Sequence, residues 1–312
     1  MMRRAAVIGM SLCVLATGMH AQSMREQCAT AAAGTVEFCE SLSDAAHTLP
    51  ARLALAAAGG NPVSGTASTL GMRVPGSPRW SIALRSTIAR ASLPPIGDDR
   101  AITPTLWSVA ADLGVGLFDG FNLLPTMGGF GSIDVLASAG LLSAPEDDGF
   151  DRSSPLTWAV GTRLGIVRES FTAPGISVSA MYRSLPDIAY GDTTTGPYFE
   201  NASQSVISVR GTVGKRVLGI GFTGGVGYDR VGSDLRATYT EPGLMLPRRV
   251  SVAESDLTFS RTSFFGNVSY TLLILNLGAE LGWQESGEAP AGAHRDTHRG
   301  GLFGGIAIRL AI

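Results

Sequence analysis

The sequence predicts an all-β protein: an antiparallel transmembrane up-and-down β-barrel of ten to twelve strands, ten favoured, behind a short helical N-terminal segment. Three observations predict it. Apolar residues recur at every second position in run after run from Arg79 to the last residue. The face opposite them carries Gly, Ala, Ser and Thr with roughly one charge per strand, where a soluble sheet would show water many charged and long polar side chains. Short connections alternate with long polar ones, as in barrels that cross a bilayer.

The N-terminus reads as an export signal. Arg3 and Arg4 precede an apolar core from Ala5 to Gly18, and His20-Ala21 offers a cleavage point, so 1–21 is assigned as signal peptide, 22–68 as helical segment and 69–312 as barrel. The signal core is too short to span, and no later run of 18 or more apolar residues predicts a transmembrane helix. Export then leaves the periplasm, the exterior or the outer membrane. A net charge of -2 offers no electrostatic case for nucleic acid.

Residues 22–60 are rich in Ala, Leu and Glu and predict two or three short helices, either periplasmic, folded into the barrel as a plug, or a partly ordered leader. Thr48 with Pro50 resembles a helix start, and Gly59-Gly60 a helix stop. Cys28 and Cys39 form an even pair in an exported chain, which favours a disulfide over two free thiols. On one continuous helix they would lie roughly 16 Å apart, too far to bridge, so the bond requires a bend, which Gly34 can supply.

The strands follow in order. Trp80, Ile82, Leu84 and Ile88 form the first apolar face; Trp107 to Leu117, Ile133 to Leu141, Leu156 to Ile166 and Ile176 to Tyr182 repeat it. Then come Ile207 to Val213, Leu218 to Tyr228, Phe264 to Tyr270 and Leu277 to Trp283, the runs at 207–213 and 263–270 being short. The closing run, Leu302 to Ile312, needs neighbours on both edges, which closure provides. Tight turns are expected at Gly214–Val217 and Thr271–Leu275; long polar loops at 90–106, 143–155, 184–203, 230–256 and 285–300. Leu70, Met72 and Val74 also alternate and could add an eleventh strand.

Trp80, Trp107, Trp158, Tyr182, Tyr228, Tyr270 and Trp283 sit on the apolar faces near strand ends, as interfacial girdles do. With the signal at 1–21, the alternating strands and the terminal strand 302–312, the chain resembles bacterial outer-membrane β-barrel proteins. The resemblance is to an architecture, with no motif that names a subfamily. Members commonly end in an aromatic residue that helps the assembly machinery recognise the last strand; here the position is Ile312. The implied partners are outer-membrane lipid and that machinery.

Arg85, Asp112, Asp134, Arg163, Arg183, Arg210, Glu280 and Arg309 fall on the inner face. They either line a pore and set its ion preference or pair to fill and stiffen the lumen. Five arginines against three acids would make an open pore mildly anion-preferring. His294 and His298, four apart with Asp296 between, have metal-ligand spacing, but the surrounding glycines and proline read as a surface loop. Glu146-Asp147-Asp148 with Asp151 reads as a solvated charge run, and His47 has no evident partner. No metal, cofactor or catalytic residue is assigned, and no enzymatic activity is expected. The functional expectation is a narrow passive pore or small-molecule channel; the alternatives are a structural or adhesive barrel acting through its outer loops and, remotely, a rim hydrolase.

Overall fold

The computed structural model describes residues 24–31, 36–74, 77–93, 102–122, 128–145, 149–151, 155–191, 198–241, 248–286 and 300–312. The signal at 1–21, Gly34, Glu146–Asp148 and the His294–His298 pair lie outside them. Two helices, α1 (Met24–Ala31) and α2 (Val36–Ala58), precede fourteen strands. These are β1 (Met72–Val74), β2 (Ser77–Pro78), β3 (Trp80–Arg90), β4 (Thr105–Phe118), β5 (Ile133–Ser143), β6 (Phe150–Asp151) and β7 (Leu156–Val167). After them come β8 (Gly175–Ser184), β9 (Ile188–Gly191), β10 (Tyr198–Val217), β11 (Ile220–Glu241), β12 (Arg248–Leu272), β13 (Leu275–Gln284) and β14 (Gly301–Ala311).

Ten of them close an antiparallel barrel in the order β3-β4-β5-β7-β8-β10-β11-β12-β13-β14, with β14 zipped back onto β3 from Phe303↔Ala89 to Ala311↔Ser81. The segment Met72–Val74 makes a separate two-stranded sheet with β2 and adds no eleventh barrel strand. β3, β5, β7, β8, β13 and β14, each of 10 to 12 residues, match the roughly 9–11 that a tilted strand needs to cross a bilayer.

Alternation sorts each strand into two faces. In β3, Ile82, Leu84 and Ile88 point out and are about half exposed, while Ser81, Ala83, Arg85 and Thr87 are buried inside. The outward residues form an apolar band, and aromatic side chains edge it: Trp158 and Tyr182 lie with ring centroids 5.7 Å apart, and the Trp107 indole donates to Ser86 Oγ at 2.8 Å. A band of this kind has only lipid to face. The short connections lie at one end and, by the general habit of such barrels, mark the periplasmic side.

Three expectations about loops need correction. The tight turn of the β10–β11 hairpin falls at Leu218-Gly219, not at 214–217; both residues have positive φ (51° and 84°), which Gly219 adopts freely and Leu218 only under constraint. The short runs at 207–213 and 263–270 are the middles of strands of 20 and 25 residues. And 230–256, read as a polar loop, is largely paired strand: β11 and β12 stay in register from Ile220↔Tyr270 to Glu241↔Arg248 apart from one irregularity.

The last two differences come from an inversion of amphipathicity. Within the band, β11 points Phe222, Val226 and Tyr228 outward and keeps Thr223 and Asp229 inside. Beyond Tyr228 the pleat continues unbroken, but Arg230, Asp234 and Arg236 now face out while Val231, Leu235, Ala237 and Tyr239 are buried. Outside the bilayer the outer face meets water, and the inner face meets an apolar plug.

That plug is the N-terminal segment. The α2 helix stands inside the outer half of the barrel, its leucines packed against the wall, and the chain continues through 59–70 toward the periplasmic mouth before turning into β3. Contrary to the expected helix start at Thr48-Pro50, α2 runs through Pro50. Pro50 removes one helical hydrogen bond, and Gln204 of the wall donates to its carbonyl at 2.5 Å. Cys28 and Cys39 form a disulfide with Cα atoms 5.6 Å apart, folding α1 back on α2, and the Gln27 amide exchanges two hydrogen bonds with the backbone of Ala253 in β12.

Candidate functional site in the barrel lumen

The lumen has two halves of different chemistry. In the outer half Leu42, Leu49, Leu53 and Leu55 of α2, none more than 1% exposed, meet Leu93, Leu106, Leu142, Val206, Val231 and Phe303 of the wall. Each fully buried leucine is worth about 1.5–3 kcal/mol of apolar transfer. Phe38 adds an edge-on contact to Tyr239 with centroids 5.2 Å apart.

The inner half is polar, and its charged side chains hold main-chain groups of 58–71. Arg210 donates to the carbonyls of Ala58 (2.8 Å) and Gly60 (3.1 Å) and pairs with Asp229 at 2.8 Å, both side chains being at most 4% exposed. Arg85 donates to the Gly59 carbonyl at 3.2 Å, and its Nε lies 3.3 Å from Asp112, close enough for an ion pair without hydrogen-bond alignment. Both carboxylate oxygens of Glu280 accept from the Asn61 amide, at 3.3 and 3.1 Å. Gly60 is required here: its φ is +79°, and a Cβ would stand 1.5 Å from Glu280 Oε1.

Nearer the periplasm, Arg163 donates to Ser177 Oγ (2.9 Å) and to the Thr66 carbonyl (2.8 Å), and Asp134 accepts from the amides of Leu70 and Gly71. Arg183 is buried beside Arg85 and Arg210 in the wall of a small gap under Gly60 and Pro62, its Nε without a hydrogen-bond partner. Arg309 is buried with both Nε and Nη1 unpartnered. The structure thus brings Arg85, Asp112, Arg183, Arg210 and Glu280 around 58–61, and Asp134, Arg163 and Arg309 around the stretch that follows.

Outside the band, at the periplasmic turns, Asp119 holds β1: it accepts from the Met72 amide at 2.7 Å and pairs with Arg168 at 2.9 Å. Partial burial would raise its pKa, but the Met72 amide and the Arg168 guanidinium outweigh that and hold it below the ordinary carboxylate value.

Two kinds of contributor escape sequence reasoning. Asp229 sits one residue past Tyr228, on the same inner face as Gly225 and Gly227, so continuing the alternation by one residue reaches it. Gly59, Gly60, Asn61 and Thr66 act through backbone amides and carbonyls, which leave no side-chain signature. His47 hydrogen-bonds the Ser43 carbonyl within α2 at 2.8 Å.

No family model matches the chain, and no curated protein does. Among solved structures it is similar to the translocator domain of the autotransporter NalP from Neisseria meningitidis (11% identity, TM-score 0.40, 86% of this chain and 97% of that one). It is also similar to the outer membrane protease OmpT from Escherichia coli (12%, 0.36, 79% and 98%) and to an outer membrane channel from Pseudomonas putida F1 (9%, 0.33, 77% and 97%). Ten antiparallel strands closed behind an apolar outer band make this chain a bacterial outer-membrane β-barrel protein.

Proposed function

We propose that the protein is a narrow channel for small polar solutes, held shut at rest by its own N-terminal segment. The observation that carries this reading is the mode of attachment in the inner half: the wall there is hydrophilic, and it holds 58–71 through hydrogen bonds to backbone groups that water can replace. Withdrawing 59–70 and displacing α2 with it would leave a passage whose inner half is lined by Ser, Thr and Asn with five arginines, Arg85, Arg163, Arg183, Arg210 and Arg309, against four acids, Asp112, Asp134, Asp229 and Glu280. Such a lining suits water and ions with at most a slight anion preference.

The test is single-channel recording in planar bilayers. The intact protein should show rare, brief openings, and Glu280→Ala or Arg163→Gln, each of which deletes one tether, should make them more frequent. Silence from both variants, with heat-modifiable gel mobility proving that they are folded, would sink the channel.

A second reading, a structural or adhesive barrel, is favoured by one feature: β11 and β12, of 22 and 25 residues, stand above the band as a paired ridge with a charged outer face. Under it, cells carrying a ridge shortened between 232 and 256 lose surface attachment while the barrel still folds. In either case the band would meet outer-membrane lipid, and β14 is the strand we assign to the assembly machinery.

A further inference from the structure

Below the tethered segment a cavity of about 330 Å³ opens at the periplasmic mouth. Its polar lining comes from Thr66, Ser68, Thr69, Arg79, Arg216 and Arg309. Arg309 is 5% exposed, and its Nε and Nη1 have no hydrogen-bond partner. The charges that act on it are Arg163 and Arg216, both positive, and Arg163 also keeps an unpartnered Nη1.

The acids nearby are engaged elsewhere. Asp112 pairs with Arg85, Asp134 accepts from the amides of Leu70 and Gly71, and Glu169 accepts from the Arg216 amide. Among the described residues no Asp or Glu side chain lines the cavity, and even with the main-chain carboxylate of Ile312 counted, three guanidinium groups predominate. Burying a guanidinium without a counter-charge is costly, and like charges around it raise the cost. An anion in the cavity removes both penalties.

We propose that this mouth is a binding site for a phosphate group, gripped by Arg309 and Arg216 with Arg79 at the rim. The guanidinium fork matches the spacing of phosphate oxygens, and Arg309 lines the cavity with two of its donors unsatisfied. Two hydroxyls are positioned to help. Thr66 Oγ1 accepts from the Ser68 amide and Ser68 Oγ accepts from the Glu169 amide, which leaves each O–H hydrogen available to an anion. The phosphate can come free from the periplasm or as the headgroup of a lipid in the inner leaflet, on whose side the outward-facing Trp80 stands. The site belongs to the resting arrangement, since Thr66, Ser68 and Thr69 of its lining lie within 59–70; binding is read by stability and not by conductance, so a silent channel and an absent site are separate outcomes.

Thermal unfolding of the full chain in an uncharged detergent tests it, with inorganic phosphate, phosphatidylglycerol micelles or sodium chloride added at matched ionic strength. Phosphate should raise the midpoint saturably beyond chloride, and Arg309→Gln and Arg216→Gln should each weaken apparent phosphate affinity about tenfold, the scale of one lost charge-assisted hydrogen bond. Stabilisation by the lipid that disappears in the same variants assigns a headgroup as the source; a response to phosphate alone assigns the free ion. No shift beyond chloride from either probe, or a shift undiminished in both variants, overturns the site. Should Arg309→Gln fail to fold, Arg216→Gln decides by itself, because its side chain is exposed and not needed for packing.

Discussion

The outer and inner halves of this lumen hold the same polypeptide by opposite means. Outside, α2 is gripped by apolar surface, which is strong and without direction. Inside, 59–70 is gripped by arginines and carboxylates aimed at individual backbone groups, which is directional and, net of water, weaker per contact. The difference separates retention from placement. Burial keeps the helix in the barrel; hydrogen bonds fix where the irregular segment lies. A change that frees the inner segment therefore need not expel the helix.

Mutations can break that contrast, and the largest effect should come from the buried pair. Asp229→Ala strands Arg210 in the lumen and should cost about 3–5 kcal/mol of unfolding free energy, whereas Arg210→Met with Asp229→Leu should restore most of it. Denaturant titration of both proteins in detergent measures the gap; equal losses would mean that the pair is not the source. In the outer half, Leu53→Ala should cost about 2–5 kcal/mol and speed hydrogen exchange along α2 while leaving the amides of Asn61 and Leu70 protected. Loss of protection in both halves together would erase the distinction.

Smaller effects sharpen it. Cys28→Ser with Cys39→Ser removes a cross-link of sequence separation 11, worth about 3 kcal/mol or less in the chain-entropy view. The loss should appear as protease access to α1, with channel recordings unchanged. The least change belongs to Asp119. Its pKa is lowered on folding, so its contribution is present above the unfolded value of about 3.9 and fades as pH falls through the folded value. Because the pair is partly exposed, the effect should stay below about 1 kcal/mol. Proteolysis near Met72 should rise only in acid, and Asp119→Asn should make it independent of pH.

Most of the barrel was legible because a bilayer imposes one rule on every strand: alternate, and keep the outward residues apolar. That rule recovers the faces of β3 and β14 down to Arg85 and Arg309. It fails where the surroundings change. Val231, Leu235 and Tyr239 keep the period but swap sides with the polar residues once β11 leaves the membrane, so a reader looking for outward apolar residues sees a loop. The length of α2 was hidden by Pro50, whose helix-breaking tendency is overridden by a wall that encloses the helix. Half of the lumen's bonding partners were invisible for a simpler reason: a carbonyl at Gly59 or an amide at Asn61 is the same in every sequence.

The seam where β14 meets β3 has a consequence for how the molecule is made. Residues 36–70 occupy the lumen as a thread that passes lengthwise through it and re-emerges at the periplasmic end to become the first strand of the wall. Once the seam is shut, a folded and cross-linked helical pair has no lateral way in. A thread seated before the wall closes is captured by ring closure, so pairing of the last strand with the first would finish the wall and lock α2 inside in one step.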